Sequence, residues 1–185
     1  GDYDFDSKIT YNDLWDLVEN WEMKNFNYEL GPVSGQVPHF VSIPDSKFDI
    51  EDGMAFVQIW SWYQKEYGQI VEDTVMIGKP LNIAQFGNEL SIFIDDSIAS
   101  GQIQFSNNHI DSRLRFSTKS YDGAMYLSHQ DPEKGYSILE FARPKSMAKD
   151  TIHVTADEES KLKIYYKFYG RDKKEIQRGH TSFEY

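Results

Sequence analysis

The sequence predicts a mainly β domain, an antiparallel meander closing as a barrel or packing as a sandwich, preceded by one N-terminal α-helix. Three observations carry that expectation. Aromatic residues make up 15% of the chain, with 12 Tyr and 12 Phe, and strands favour such side chains. From Gly53 onward, short runs of alternating apolar and polar residues recur between turn-forming clusters spaced about 8–12 residues apart. Two segments, Phe56–Tyr63 and Ile164–Tyr169, are apolar or aromatic on both faces when laid out as strands.

The first element is the helix, over residues 12–23. Leu14, Leu17, Val18 and Trp21 recur at helical spacing. Thr10 followed by Asp13 resembles a shortened capping box, and Asp13 and Asp16 stand where the helix dipole favours acid. Residues 31–52 read as a loop-rich surface excursion, because Pro32, Pro38 and Pro44 interrupt any regular pattern. Only His39–Ile43 suggests a short extended piece. The excursion belongs to the same domain, so residues 1–185 read as one unit. The β region, 53–185, opens with Phe56–Tyr63. A strand there puts Phe56, Trp60 and Trp62 on one face, with Val57, Ile59 and Tyr63 on the other. Alternation continues in Leu90–Ile94, Ile103–Phe105, Leu114–Phe116, Ile152–Thr155 and Leu162–Tyr169. Turns are expected at Phe86-Gly87-Asn88, Ser106-Asn107-Asn108, Asp122-Gly123, Asp131–Gly135 and Gly170-Arg171-Asp172. Residues 140–149 could hold a short helical turn, and Asp157–Ser160 reads as a solvated hairpin tip. No internal repeat is apparent.

Charge narrows the function classes. A net charge of -11 and a pI near 4.8 disfavour nucleic acid and anionic membranes as partners. A small ligand or a glycan remains compatible. The absence of cysteine removes thiolate catalysis, disulfides and the commonest structural zinc sites. No stretch approaches the ~20 apolar residues that span a bilayer. The start, Gly1–Asp6, reads as a trimmed or mature end, so the absence of an export signal there is no argument against export. His39, His109, His129, His153 and His180 are scattered with no paired ligand spacing, so no metal ligand and no cofactor is assigned. Asp95 and Asp96 face opposite ways in a strand and do not make a catalytic pair. The acidic cluster Asp45–Asp52 lacks the order of an EF-hand loop. Without a nucleophile elbow or a phosphate loop, no catalytic residue is assigned.

The aromatic runs remain, and with them Trp60, Trp62, Tyr165 and Phe168 as candidate ligand-binding residues. The order of elements, a helix, then Trp21 before a first extended segment, then a meander, resembles the calycin or lipocalin-like plan. In that plan Trp21 closes the barrel bottom beside a late arginine, Arg171 or Arg178, although Glu19 stands where the family has glycine. The resemblance implies a small apolar ligand in the barrel and an exported bacterial setting. The leading expectation is thus a non-catalytic, extracytoplasmic barrel domain that binds a small hydrophobic ligand or acts as a surface interaction module. A carbohydrate-binding sandwich is the first alternative, and a glycan-active enzyme using Asp and Glu the second.

Overall fold

The computed structural model describes residues 1–70, 75–107, 113–118, 123–145, 148–156 and 161–184. Helix α1 (Tyr11–Met23) leads through a 3₁₀ turn (Phe26–Tyr28) to a two-stranded ribbon of β1 (Val33–Ser34) and β2 (Val41–Ser42). A second helix, α2 (Ile50–Tyr67), follows. The remaining strands are β3 (Asn82–Phe86), β4 (Glu89–Ile94), β5 (Ser100–Asn107), β6 (Leu114–Thr118), β7 (Met125–Asp131), β8 (Tyr136–Ala142), β9 (Asp150–Ala156), β10 (Lys161–Tyr169) and β11 (Glu175–Glu184).

Helix α2 corrects the strand expected at Phe56–Tyr63. Asp49 caps it by accepting from the Glu51 amide at 2.9 Å, and the Asp52 carboxylate returns to the Asp49 amide at 2.9 Å. That reciprocal capping box fixes the first turn. Beyond it the period of burial is helical. Asp52, Phe56, Trp60 and Gln64 are buried at every fourth place, while Val57 and Gln58 between them are exposed. The same aromatic run is therefore amphipathic with a period of 3.6.

The strands form two antiparallel sheets, in the orders β11-β10-β5-β8-β7 and β3-β4-β9-β6. This corrects the closed barrel: among the described residues each sheet has two edge strands, and the arrangement is a sandwich. It is also not a simple meander, since β5 lies between β10 and β8 and β9 lies between β4 and β6. Hairpins occupy three of the expected turns, with Gly87 (φ 60°) and Gly135 (φ 67°) left-handed in two of them. Asn108, Asp122 and Asp157–Ser160 lie outside the described residues. The helical turn expected over 140–149 is absent among the described residues, because β8 runs on to Ala142. There the fully buried Arg143 donates to the carbonyls of Ile98 (2.9 Å), Ala148 (2.8 Å) and Asp95, tying two loops together.

Two cores share the larger sheet. Between the sheets, Leu90, Ile92, Ile152, Val154, Ile164 and Phe168 pack with Phe105 and Phe141. Each fully buried side chain of this kind contributes about 1.5–3 kcal/mol. On the other face of that sheet, Leu14, Leu17 and Val18 of α1 and Phe56 and Trp60 of α2 cover Tyr136, Ile138 and Ala142 of β8. Strand β8 is consequently buried along its whole length. The layer order is small sheet, large sheet, helices.

Candidate functional site

The four aromatic candidates fall in different environments. Trp60 is buried between α2 and β8, where its Nε1 donates to Glu140 Oε2 at 2.8 Å. Phe168 is buried between the sheets, with ring centroids 5.8 Å from Phe141 and 5.5 Å from Tyr166. Trp62 is half-buried, edge-on to Tyr67 at 5.6 Å. Tyr165 is half-buried on the outer face of β10, 6.1 Å from the His180 ring. Trp21 stacks on Phe48 at 5.6 Å, whereas Arg178 lies on β11, paired with Glu175, and Arg171 lies in the β10–β11 turn.

Of the four, Tyr165 alone lines the cleft of about 240 Å³ between the start of α1, the end of α2 and the outer face of β5, β10 and β11. Its walls carry Tyr11, Tyr63 and Tyr67, the amides of Gln102 and Gln104, and the cations Lys8, Lys167 and Arg178. Polar side chains line this face because β5 alternates, with Ile103 and Phe105 in the core between the sheets and Gln102 and Gln104 on the opposite side. Gln102 links the cleft to the buried carboxylate of its cross-strand neighbour on β8, donating to Glu140 Oε1 at 2.7 Å. Burial pushes the Glu140 carboxyl up to about 7, against the pull of hydrogen bonds from Gln102 and Trp60.

A second constellation lies at the head of α1. Asp2, Asp4, Asp6, Lys8, Thr10 and Asp13 occupy positions 1, 3, 5, 7, 9 and 12 of a calcium loop, with apolar Ile9 at position 8. One carboxylate oxygen from each of Asp2, Asp4 and Asp13 lies within 4.8 Å of the others. Ser7, at position 6, is left-handed (φ 67°), as the sharp turn at that place requires. The Asp2 carboxylate accepts from the Asp6 and Ser7 amides at 3.2 and 3.0 Å, and Asp6 accepts from the Lys8 amide at 2.8 Å. Asp13, fully buried, accepts from the amides of Tyr3 (2.6 Å) and Thr10 (2.9 Å). Burial, with Asp4 and Asp2 adding repulsion, nevertheless pushes its carboxyl up to about 6. A divalent cation relieves both causes. The loop departs from the usual pattern in carrying Ser for Gly at position 6 and Asp for Glu at position 12.

The signal is legible in the sequence, at its very start and not in the acidic cluster of 45–52. The two places are nonetheless related, which corrects the absence of a repeat. Asp6-Ser7-Lys8-Ile9-Thr10 with Asp13 parallels Asp45-Ser46-Lys47-Phe48-Asp49 with Asp52. Ser46 is left-handed too (φ 64°), and both units end in a helix capped by the corresponding residue. In the second unit, positions 1 and 3 are Val41 and Ile43, which offer no carboxylate. Protein groups close that loop: Asp52 Oδ1 accepts from Leu30 and Gly31, each at 2.8 Å, and Glu29 accepts from Ser46 and Asp45.

No family model matches the chain. No curated protein matches it. Among solved structures it is similar to a cohesin module from a family 33 glycoside hydrolase of Clostridium perfringens, at 14% identity and a TM-score of 0.40, over 60% of this chain and 96% of that one. It is also similar to the C-terminal domain of the antigen I/II-family protein AspA of Streptococcus pyogenes, at 8% identity and a TM-score of 0.29, over 61% of this chain and 43% of that one. No described helix is long and apolar enough to cross a membrane.

Proposed function

We propose that the chain is a non-catalytic, extracytoplasmic interaction module whose first loop–helix unit takes up Ca²⁺. The observation that carries the reading is the loop Asp2–Asp13, where a 12-residue ligand spacing and converging carboxylates coincide. Asp2, Asp4 and Asp6 would supply side-chain oxygens, Lys8 its carbonyl, and Asp13 the closing carboxylate. Bound there, the ion neutralises buried acid and fixes the N-terminal segment to the head of α1. The second unit, built on Asp52 and Glu29, holds its shape without an ion. Asp13 is one methylene shorter than the usual closing Glu, which points to the weak range of about 10⁻⁴–10⁻³ M typical of extracellular modules. Of the four aromatic candidates for an apolar ligand, Trp60 and Phe168 stand in different layers and Tyr165 alone lines the cleft.

Isothermal titration of EDTA-stripped protein with CaCl₂ tests this. One site is expected, abolished by Asp4→Ala, which removes a ligand oxygen, and retained in Asp45→Asn, which alters only the second unit. No binding heat in the wild type, or equal loss in both variants, contradicts the reading.

A further inference from the structure

We propose that the cleft beside the end of α2 binds a sugar ring carrying one carboxylate. Its lining combines three kinds of group that converge on such a ligand. The phenol rings of Tyr63, Tyr67 and Tyr165 offer flat apolar faces against which the C–H face of a pyranose packs. Tyr67 is 60% exposed at its rim, so a ring can reach it without displacing core. The amides of Gln64, Gln69, Gln102 and Gln104 each supply a donor and an acceptor on one planar group, which suits vicinal hydroxyls. Gln102 is held in place from the neighbouring strand by Glu140, and Gln104 Nε2 donates to the Gln69 carbonyl at 3.2 Å.

Charge selects within the class. Lys8, Lys167 and Arg178 all line the cleft, and among the described residues no acidic side chain does, in a chain whose net charge is -11. Glu175 stands to one side on β11, its Oε2 3.5 Å from Lys167 Nζ and also paired with Arg178. It offsets part of the charge of that pair and holds both side chains in position, so the wall facing the cleft is positive on balance, and Lys8 extends it. A cleft of about 240 Å³ lies below the range of about 300–1,000 Å³ that holds drug-sized ligands, so a single ring fits better than a long oligomer. An acidic peptide offers the same charge but is disfavoured by the backbone: the β11 edge at Arg178 already exchanges two 2.9 Å hydrogen bonds with Ile77, leaving no strand to extend there.

The probes are methyl glucuronide and methyl glucoside, which differ only in the carboxylate, followed by amide NMR shifts in the presence of CaCl₂ and again in EDTA. Lys8 and Thr10 belong to the calcium loop and also line the cleft, so both conditions are needed. Loop amides that move with Ca²⁺ in the absence of sugar report the ion reading separately. The glucuronide is expected to shift Gln102, Gln104, Tyr165 and Lys167, and to bind up to about fivefold more tightly than the glucoside, as one exposed ion pair allows. That preference should vanish at about 1 M salt and shrink in Lys8→Gln. Tyr165→Ala, half-exposed in the wild type, should weaken both sugars at least tenfold while keeping its remaining spectrum. Equal binding of the two sugars, shifts elsewhere on the surface, an acidic tetrapeptide outcompeting the glucuronide, or no shift in either calcium condition would each overturn the proposal.

Discussion

Replacing Glu140 with Gln should change how stability depends on pH more than it changes stability itself. Glu140 is fully buried and meets Trp60 Nε1 at 2.8 Å and Gln102 Nε2 at 2.7 Å. Burial lifts its carboxyl from an ordinary value of 4.5 to about 7. Between those two values the folded protein keeps a proton that the unfolded chain has released, so stability falls as pH rises through the window. A shift from 4.5 to about 7 corresponds to about 3 kcal/mol at 1.36 kcal/mol per pH unit. The neutral amide introduced by Glu140→Gln would accept from Trp60 and donate to a flipped Gln102 amide, so at pH 4.5 the variant should lie within about 1 kcal/mol of wild type. Urea unfolding of both proteins from pH 4.5 to 8 measures the difference, in which the similarly raised Asp13 cancels. The stability of the variant relative to wild type should climb by about 3 kcal/mol across the range. A difference constant to within about 0.5 kcal/mol would refute the assignment of a buried, late-titrating carboxyl.

Three other outcomes follow from the same contacts. Asp52→Ala removes the acceptor for Leu30, Gly31 and Asp49 and should cost about 3–5 kcal/mol in chemical denaturation, since these bonds are charge-assisted. Arg143→Lys leaves one nitrogen to serve the three carbonyls that the guanidinium holds; a loss of about 3 kcal/mol in the same assay is expected. Calcium affinity should fall as pH drops through about 6, where Asp13 takes up a proton that competes with the ion. Titration calorimetry at pH 7 and pH 5 reads that change directly.

Helix α1 is legible because two signals agree, a capping residue with acid three places on and a stripe at helical spacing. Helix α2 carries the same signals, but they are masked. Gly53 looks like a break and the aromatic density of Phe56–Tyr63 looks like a strand, while Asp49 and Asp52 look like a mere acidic cluster. Tertiary contact decides the matter: Phe56, Trp60 and Gln64 are the residues that reach the sheet. Hairpins are readable where glycine sits at the bend, as at Gly87 and Gly135. Strand order is not, because β5 pairs with β10 across roughly sixty residues through a register that no local pattern encodes. The cleft is half legible. Tyr165 stands out as an aromatic on a mixed strand, but Gln102 and Gln104 look like any polar face until the end of α2 closes a cleft beside them. The calcium spacing needs no structure at all, and the structure adds the convergence of the three carboxylates.

The central claim is that Asp2–Asp13 is a calcium loop, and thermal unfolding against calcium concentration tests it most directly. With a dissociation constant of about 10⁻⁴ M, about 10 mM CaCl₂ should add ~2.7 kcal/mol. For a chain of this size that raises the midpoint by about 5–10 °C, with no rise in Asp4→Ala and no comparable rise from NaCl at matched ionic strength. An unchanged midpoint in the wild type, or the same rise in Asp4→Ala, would contradict the account.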